Sequence, residues 1–276
     1  MGLELIRCLE DRNFPLRELK LFASPRSAGK RLGFRGEMLP VQELTSTSLL
    51  GVDLALFSAG SAIAREFAPA AVRNGCTVIS NSSAFRLERD VPLVVPEVNS
   101  GALSGHQGII ANPNCVAAIA TVALAPIHRV SKIRRLTIST YQAASGAGAA
   151  AMNELREATS AYLRDEAYQS RVLPHPYAFN LFSHNAEVEL ESGFNGEEIK
   201  VIAETRKLLD AAELPIGITC IRVPILRAHA IAITVALSDP VSPCDARAIF
   251  SRAEGLRLVD DRPNNHFPMP SEASGQ

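Results

Sequence analysis

The sequence predicts a two-domain α/β protein, with a parallel sheet covered by helices in the first domain and a more open, mixed sheet in the second. Two observations predict this fold class. Up to about residue 112, short apolar strands alternate with helical segments, which is typical of parallel sheets. Beyond it, longer strands follow one another with few helices between them. We therefore place the domain boundary at Asn112, which gives domains of residues 1–112 and 113–276.

The elements of the first domain are predicted from short local patterns. Residues 3–12 have helical spacing, with Leu5, Ile6 and Leu9 on one side, and Asn13-Phe14-Pro15 ends that helix. Gly75 follows a second helical segment in the position of a C-cap glycine. The expected elements are a helix over 3–12, strands over 19–23, 53–57 and 77–80, and a helix over 62–74.

The second domain is predicted from longer and more β-branched segments. The apolar run that starts at Cys115 is long enough for a buried helix, and residues 146–162 are rich in alanine. Ile231, Ile233 and Val235 alternate along the chain as in a strand. The expected elements are the helix after Cys115, helices over 146–162 and 197–209, strands over 132–141, 218–223 and 228–237, irregular chain over 174–196 and a polar loop over 268–276.

Composition excludes several classes of function. The 276 residues are 47% hydrophobic and carry a net charge of −1 without a long basic run, so neither nucleic acid nor an anionic membrane surface is an expected partner. No charge-free apolar stretch reaches about 18 residues, so no membrane span is expected. The five cysteines are odd in number, widely spaced and form no Cys-x-x-Cys pair. This spacing argues against disulfides and against a metal site, and it fits a reducing cytoplasm.

Cys115 stands at the start of the longest apolar run, directly after Asn112, Pro113 and Asn114. One interpretation is a small buried hydrophobe in a helix that begins, as many do, with Asn and Pro. The other is a nucleophile, because the unpaired N–H groups and the positive end of the dipole at a helix N-terminus favour the thiolate. This segment alone leaves both interpretations open.

Three polar loops rich in small residues follow successive strands of the first domain. They are residues 24–30, 58–61 and 81–83. Ligands of open α/β sheets bind at the carboxyl ends of strands, and in dinucleotide folds an acidic residue in the first of these loops binds the ribose 2′-hydroxyl. Here that loop has Arg26, Ser27 and Lys30 and no acid, which indicates a 2′-phosphate. Each loop by itself also fits an ordinary solvated turn, so the indication rests on the three together.

Two further segments combine side chains that suit a polar substrate. Gln142 ends a strand and is followed by Ser145 and Gly146, where a flat ring or a carboxamide fits closely, although a small-residue turn made for packing has the same composition. Arg222 and His229 flank a short loop between two strands. A histidine beside a thiolate serves as an acid–base group and an arginine holds a carboxylate, although a lone histidine is more often structural.

A pair of opposite charges lies on the predicted helix over residues 197–209. Glu197 and Lys200 are three residues apart and share one face of that helix. The pair fits a surface ion pair of little energetic value, or a clamp for the amine and phosphate groups of a substrate.

Together these motifs resemble the bacterial type of aspartate-semialdehyde dehydrogenase. The matching motifs, in the order and at the spacing of that family, are Ser24–Lys30, Asn112–Cys115, Tyr141–Gly148, Glu197–Lys200 and Arg222–His229. The resemblance runs from Gly2 to the end of the chain and implies a Rossmann-like nucleotide-binding domain followed by an α+β catalytic and dimerisation domain. It implies a cytoplasmic homodimer that serves lysine (through diaminopimelate), threonine and methionine biosynthesis.

The resemblance also implies a reaction, the NADPH-dependent reduction of L-aspartyl 4-phosphate to aspartate 4-semialdehyde with release of phosphate. It makes Cys115 the nucleophile that forms a thioester, His229 the proton-transfer group and Gln142 the residue that orients the acyl group. It assigns the substrate and its phosphate to Arg86, Asn114, Glu197, Lys200 and Arg222. It assigns NADP(H) to Arg26, Ser27, Ser58, Gly60, Ser61, Asn81, Ser145 and Gly146.

The family differs from this sequence at both ends. It begins with a strand and a glycine-rich turn that carries the cofactor pyrophosphate, and only the last glycine of that turn, Gly2, is present here. It also continues past Gln276. We therefore expect an internal piece of the enzyme with an incomplete cofactor cradle. Two alternatives stay open: an N-acetylglutamyl-phosphate reductase, which shares the cysteine thioester and NADPH, and a non-catalytic relative.

Overall fold

The structure, a computed structural model, describes all 276 residues and divides into two compact units. The N-terminal unit comprises Met1–Pro92 and Leu103–Asn112, and the C-terminal unit comprises Leu93–Ala102 and Pro113–Gln276. Strands of the first unit pair mainly in parallel, and the sheet of the second is mixed. The predicted fold class is therefore confirmed. The short segment Leu93–Ala102 belongs to the C-terminal unit, although it precedes Asn112 in the sequence.

The N-terminal unit contains two separate three-stranded sheets. Its elements are α1 (Gly2–Asp11), β1 (Leu21–Ala23), β2 (Arg31–Phe34), β3 (Glu37–Glu43), β4 (Leu54–Phe57), α2 (Ser61–Arg73), β5 (Thr77–Ser80) and β6 (Ile109–Ala111). One sheet has the order β1-β3-β2 and the other the order β4-β5-β6. The second sheet is parallel throughout, whereas β3 pairs parallel with β1 and antiparallel with β2.

The hairpin of β2 and β3 was not predicted from the sequence. Its two-residue loop is Arg35-Gly36, and both residues have positive φ, +48° and +82°. Such loops are usually recognised by Asn-Gly or Asp-Gly, because these residues tolerate positive φ, and Arg-Gly lacks the first half of that signal. Strand β6 was also missed, since it has only three residues.

The C-terminal unit is built around one mixed four-stranded sheet. Its elements are α3 (Pro96–Asn99), α4 (Cys115–Val130), β7 (Ile133–Gln142), α5 (Ala149–Tyr162), β8 (Phe182–Ser183), α6 (Gly196–Leu208), β9 (Ile216–Arg222), β10 (Ala230–Leu237), α7 (Pro243–Ser251) and α8 (Pro270–Ala273). The strand order is β10-β7-β9-β8. Strands β7 and β9 are parallel, and the two outer pairs are antiparallel.

The core of this unit lies between the sheet and helices α4 and α6. Leu136, Ile138 and Ile218 point inward from β7 and β9 and pack with Leu124 of α4 and Val201 of α6. Inward positions of β7 recur with period two, as expected for a strand with one buried face. The same period places the last residue of β7, a glutamine, on the core side of the sheet.

Helix α7 is absent from the sequence prediction, and α8 falls where we expected a polar loop. Ser242 caps α7 by accepting the N–H of Asp245 at 3.1 Å, and Pro243 occupies the first helical position. This Ser-Pro-x-Asp sequence, with a capping serine followed by proline, is typical of a helix start. Along the whole chain, none of the helices combines the length and apolar content that crossing a membrane requires.

Candidate active site

The carboxyl ends of the parallel strands β7 and β9 bring Gln142 and Arg222 side by side. The two residues are direct partners in the strand register. Both are buried, with 1% of Gln142 and 2% of Arg222 exposed. Two polar side chains held at one edge of a sheet, inside the protein, require partners there.

Asn114 begins helix α4 and leaves Cys115 as its first residue. The Asn114 Oδ1 atom accepts the N–H of Val116 at 2.8 Å and that of Ala117 at 3.4 Å. The Asn114 N–H donates to Oε2 of the buried Glu204 at 2.5 Å, and this hydrogen bond holds the backbone of the capping residue in place. Asn114 is buried, but Cys115 is exposed. Cys115 is therefore not a buried hydrophobe, and its thiol stands at the positive end of a helix.

His229 lies within reach of this thiol. Its Nε2 atom is 3.4 Å from Cys115 Sγ, and its Nδ1 accepts the N–H of Ala143 at 2.9 Å. Since a backbone N–H can only donate, the neutral ring carries its proton on Nε2 and directs it at the sulfur. Burial lowers the pKa of His229, and the positive charge of Arg222 lowers it further, while Glu197 opposes the shift. The ring is therefore neutral at neutral pH.

Glu197 joins the helix cap to the end of β7. Its Oε1 atom accepts hydrogen bonds from Asn114 Nδ2 at 2.9 Å and from Gln142 Nε2 at 3.2 Å. Burial alone raises the pKa of Glu197, but these hydrogen bonds, together with the positive charge of the nearby Lys200, lower it overall. Glu197 is therefore a buried carboxylate, and a surface ion pair with Lys200 is not formed. Lys200 is partly buried and makes no hydrogen bond or ion pair.

Arg222 is held by two residues that the sequence analysis missed, His184 and Asn185. Its Nη2 atom lies 2.8 Å from His184 Nε2 and donates to Asn185 Oδ1 at 3.2 Å, and its Nη1 donates to the carbonyl of Ala143 at 3.0 Å. A guanidinium has only donors, so His184 accepts at Nε2 as a neutral ring with its proton on Nδ1, and the 2.8 Å contact with Arg222 takes precedence over the longer 3.2 Å contact between the Ala186 N–H and Nδ1. Burial, more than any neighbouring charge, lowers the pKa of His184 to about 4. The Nε of Arg222 is buried without a partner, which suits an incoming anion.

Gly146 lies against both His229 and Arg222. A Cβ at this position would be 3.2 Å from His229 Cε1 and 3.3 Å from Arg222 Nη1. Ser145, the preceding residue, donates its N–H to the carbonyl of Leu226 at 3.0 Å. The turn after β7 and the loop before β10 are thus joined, and only glycine fits the contact without a shift.

The remaining predicted site residues lie in the N-terminal unit. They are Arg26, Ser27, Ser58, Gly60, Ser61, Asn81 and Arg86. Six of them lie in loops or a short turn that follow β1, β4 or β5, and Ser61 is the first residue of α2. Ser61 Oγ contacts Ser83 Oγ at 3.0 Å, and Arg86 donates from Nη2 to the carbonyl of Asn81 at 2.7 Å, so the loops after β4 and β5 meet. Arg26 and Ser27 form a separate short turn after β1.

Models of protein families match both parts of the chain. Residues 1–106 match the NAD-binding domain of semialdehyde dehydrogenases, and residues 124–276 match the dimerisation domain of semialdehyde dehydrogenases. An aspartate-semialdehyde dehydrogenase from Synechocystis is 46% identical over 276 residues, which are 100% of this chain and 81% of the relative.

Solved structures agree with these matches. Aspartate semialdehyde dehydrogenase II from Vibrio cholerae, complexed with ASA, is 34% identical and superposes with a TM-score of 0.95 over 99% of this chain and 81% of its own. Aspartate semialdehyde dehydrogenase with NADP from Candida albicans has a TM-score of 0.67 at 24% identity, over 91% of this chain and 73% of its own, and shares the fold.

Proposed function

Because the chain belongs to the aspartate-semialdehyde dehydrogenase family, we propose that Cys115 and His229 carry out the family's reaction in it. That reaction is the NADPH-dependent reductive dephosphorylation of L-aspartyl 4-phosphate to L-aspartate 4-semialdehyde, which serves lysine, threonine and methionine biosynthesis. Relatives matched along the whole chain are named for the aspartate reaction, which favours it over N-acetylglutamyl-phosphate reduction and over a non-catalytic role.

One observation carries the proposal: the sulfur of Cys115, at the N-terminus of α4, lies 3.4 Å from Nε2 of His229. The helix end and the Nε2–H both stabilise a thiolate. This thiolate attacks the acyl phosphate carbon, and collapse of the adduct expels phosphate and leaves a thioester on Cys115. The same Nε2–H then donates a hydrogen bond to the oxyanion that forms on the acyl carbon, so His229 stabilises this negative charge until the adduct collapses.

The substrate is held by the charged groups around this pair. Arg222, fixed by His184 and with its Nε still unpartnered, binds the α-carboxylate. The buried carboxylate of Glu197 binds the α-ammonium. Gln142 uses one N–H of its amide on Glu197, which leaves a second N–H to orient the acyl oxygen.

The phosphate group of the substrate is assigned to cations and amides. Lys200, whose charge is close enough to lower the pKa of Glu197, and Arg86 supply positive charge. Asn114 has a second N–H beyond the one that it donates to Glu197, and this N–H is directed at the phosphate.

The cofactor is NADP(H), and the residues present fit it. The turn after β1 offers Arg26, Ser27 and Lys30 and no carboxylate, a donor set that suits the 2′-phosphate. Loop residues at the ends of β4 and β5 line the dinucleotide, and two residues of the turn after β7 border the nicotinamide. These residues are Ser58, Gly60, Ser61, Asn81, Ser145 and Gly146. When bound, NADPH supplies the hydride that reduces the thioester.

The two parts of the chain divide these tasks. Residues 1–112 form the NADP-binding domain and residues 113–276 the catalytic and dimerisation domain, through which two copies form a homodimer. The match of residues 124–276 to a dimerisation domain supports this assignment. All five cysteines are free thiols, which fits a reducing cytoplasm.

The test is phosphate-dependent reduction of NADP by aspartate semialdehyde, followed at the nicotinamide absorbance. Cys115→Ser lowers turnover by at least about 1000-fold, because a serine hydroxyl is not ionised there. Cys244→Ser, at another exposed cysteine in α7, serves as the matched control and keeps wild-type turnover. Full activity of the Cys115 variant refutes the assignment of the nucleophile. Turnover with N-acetylglutamate semialdehyde but not with aspartate semialdehyde refutes the substrate.

A further inference from the structure

Arg222 and His229 flank one short loop between β9 and β10, which we call the site loop and which comprises residues 223–228. The last residue of this loop, Ala228, has a φ of +65°, a left-handed conformation that residues other than glycine rarely adopt. Such a conformation persists only where the surrounding structure holds it in place. The contacts that hold the site loop therefore also hold His229, which directly follows Ala228.

The site loop is held by the turn after β7 and by a tyrosine. The N–H groups of residues 144–145 donate to the carbonyls of residues 225–226, at 2.9 and 3.0 Å in that order. A further hydrogen bond comes from a side chain, because the hydroxyl of Tyr177 donates to the carbonyl of Val223 at 2.7 Å. Burial raises the pKa of Tyr177 to about 12, so its hydroxyl keeps its proton and remains a donor.

Tyr177 is itself fixed by packing. The residue is fully buried, and its ring belongs to a cluster of buried side chains that includes Ala144, with Leu226 of the site loop packed against that cluster. The ring of Phe182 meets the Tyr177 ring edge-on, with 5.6 Å between their centres, and Phe182 is the strand partner of Arg222. Tyr177 thus lies between the end of β9 and the site loop and has no free space in which to turn.

A buried carboxylate fixes the segment that leads to Tyr177. Glu154 of α5 is 3% exposed and accepts the N–H groups of residues 171–173 at 2.5, 2.7 and 2.9 Å. A buried charge is costly unless it is hydrogen-bonded, and these three donors stabilise it. The proposed reaction makes no use of Glu154. Its role is therefore to hold the segment over residues 171–177 against α5.

We propose that Tyr177 is a positioning residue, whose hydrogen bond to the Val223 carbonyl holds the site loop so that Nε2 of His229 stays in contact with the sulfur of Cys115. The same carbonyl also accepts the N–H of Ile225 at 2.8 Å. Removal of the hydroxyl therefore leaves no buried acceptor without a partner, and the fold is retained. The inference rests on the proposed pairing of Cys115 with His229, but it is measured without substrate or cofactor.

The test is the rate at which iodoacetamide alkylates Cys115 at pH 7 in the full 276-residue chain. All samples carry Cys8→Ser and Cys244→Ser, which remove the other exposed thiols. The thiolate is the form that reacts, and the Nε2–H of His229 stabilises it, so displacement of the ring slows alkylation. Tyr177→Phe keeps the buried ring, removes the hydroxyl and is expected to lower the rate at least about fivefold. A structural role alone loosens the chain around the thiol, which leaves the rate unchanged or raises it.

Two further variants decide whether the hydroxyl acts through the histidine. Tyr168→Phe is the matched control, because its hydroxyl donates to Glu157 of α5 at 3.0 Å and not to the site loop, and it is expected to leave the rate within about 1.5-fold. In His229→Ala the positioned ring is absent, so Tyr177→Phe is expected to lower the rate there by less than about 1.5-fold further.

The proposal is overturned by an unchanged or higher rate for Tyr177→Phe, by an equal loss in the His229→Ala background, or by an equal loss for Tyr168→Phe. Alkylation that responds as expected, in a chain that does not reduce NADP with aspartate semialdehyde, refutes the proposed reaction and supports the positioning role of Tyr177.

Discussion

Replacement of Asn114 by alanine tests the cap that holds Cys115 at the start of α4. The change removes the acceptor for the N–H groups of Val116 and Ala117 and the donor to Glu197. Loss of an N-cap costs about 1 kcal/mol, and loss of a hydrogen bond to a buried charge costs about 2 kcal/mol. We therefore expect a loss of about 3 kcal/mol, or a fall of about 6–12 °C in the melting temperature of a unit of this size.

Tyrosine signals are the assay, because the chain has no tryptophan and Tyr177 is fully buried in the C-terminal unit. Near-UV circular dichroism during thermal unfolding follows this residue. Asn114→Asp is the companion variant, since it keeps the capping oxygen but places a second carboxylate against Glu197. At pH 7, Asn114→Asp loses at least as much free energy of unfolding as Asn114→Ala does. This loss becomes smaller as the pH falls toward 5, because protonation of one of the two carboxyl groups relieves their repulsion. Melting within about 1 °C of wild type for Asn114→Ala would refute this account of the cap.

Three further predictions concern the pair of histidines and the glycine beside them. Since burial lowers the pKa of His229, the acidic fall of kcat/KM that it causes has its midpoint below pH 6.5, measured as a pH–rate profile; a midpoint above 6.5 contradicts the neutral ring. His184→Leu removes the acceptor that holds Arg222 and raises the KM for aspartate semialdehyde about tenfold, whereas His184→Gln restores an acceptor and raises it less. Equal KM values for His184→Leu and His184→Gln would show that His184 does not position Arg222. Gly146→Ala pushes a methyl group against His229 and lowers kcat about tenfold, while Gly217→Ala, with open space around it, does not.

Much of the site was predictable where chain pattern and chemistry coincide. Gln142 and Arg222 end two apolar strands, and polar groups at strand ends are the usual ligand-binding positions of such sheets. The place of Cys115 at the start of an apolar helix left two interpretations open, a buried hydrophobe or a nucleophile, and the structure places it as the exposed first residue of α4. The proximity of Gln142 and Arg222 depends on the parallel pairing of β7 with β9, which the pattern of a single strand does not encode.

Other parts were not predictable because their cause is tertiary. His184 lies in a segment with neither helical nor strand periodicity, and only its contact with Arg222 gives it a role. The hairpin of β2 and β3 depends on positive φ at Arg35, a residue that rarely adopts it. The separation of the N-terminal strands into two sheets is likewise invisible in the sequence, since each strand alone has an ordinary apolar pattern.

Helix α6 shows how burial can reverse the meaning of a pattern. Its sequence is rich in charge, so periodicity predicts an exposed helix, yet Glu197, Glu198 and Glu204 are all buried. Together they accept hydrogen bonds from Asn114, from the end of β7 and from β9. Glu204 binds the N–H of Asn114, Glu197 binds the side chains of Asn114 and Gln142, and Glu198 accepts the N–H of Cys220 at 2.8 Å.

The three glutamates therefore tie helix α4, the end of β7 and strand β9 to one element, α6. A buried charge costs several kcal/mol unless it is fully hydrogen-bonded, so such an arrangement is poor evidence of stability by itself. What it provides is position: catalysis by a thiolate and an imidazole depends on distances of a few tenths of an ångström. A charge pattern that looks like a solvated surface in the sequence is, in the folded chain, the support that holds Cys115 opposite His229.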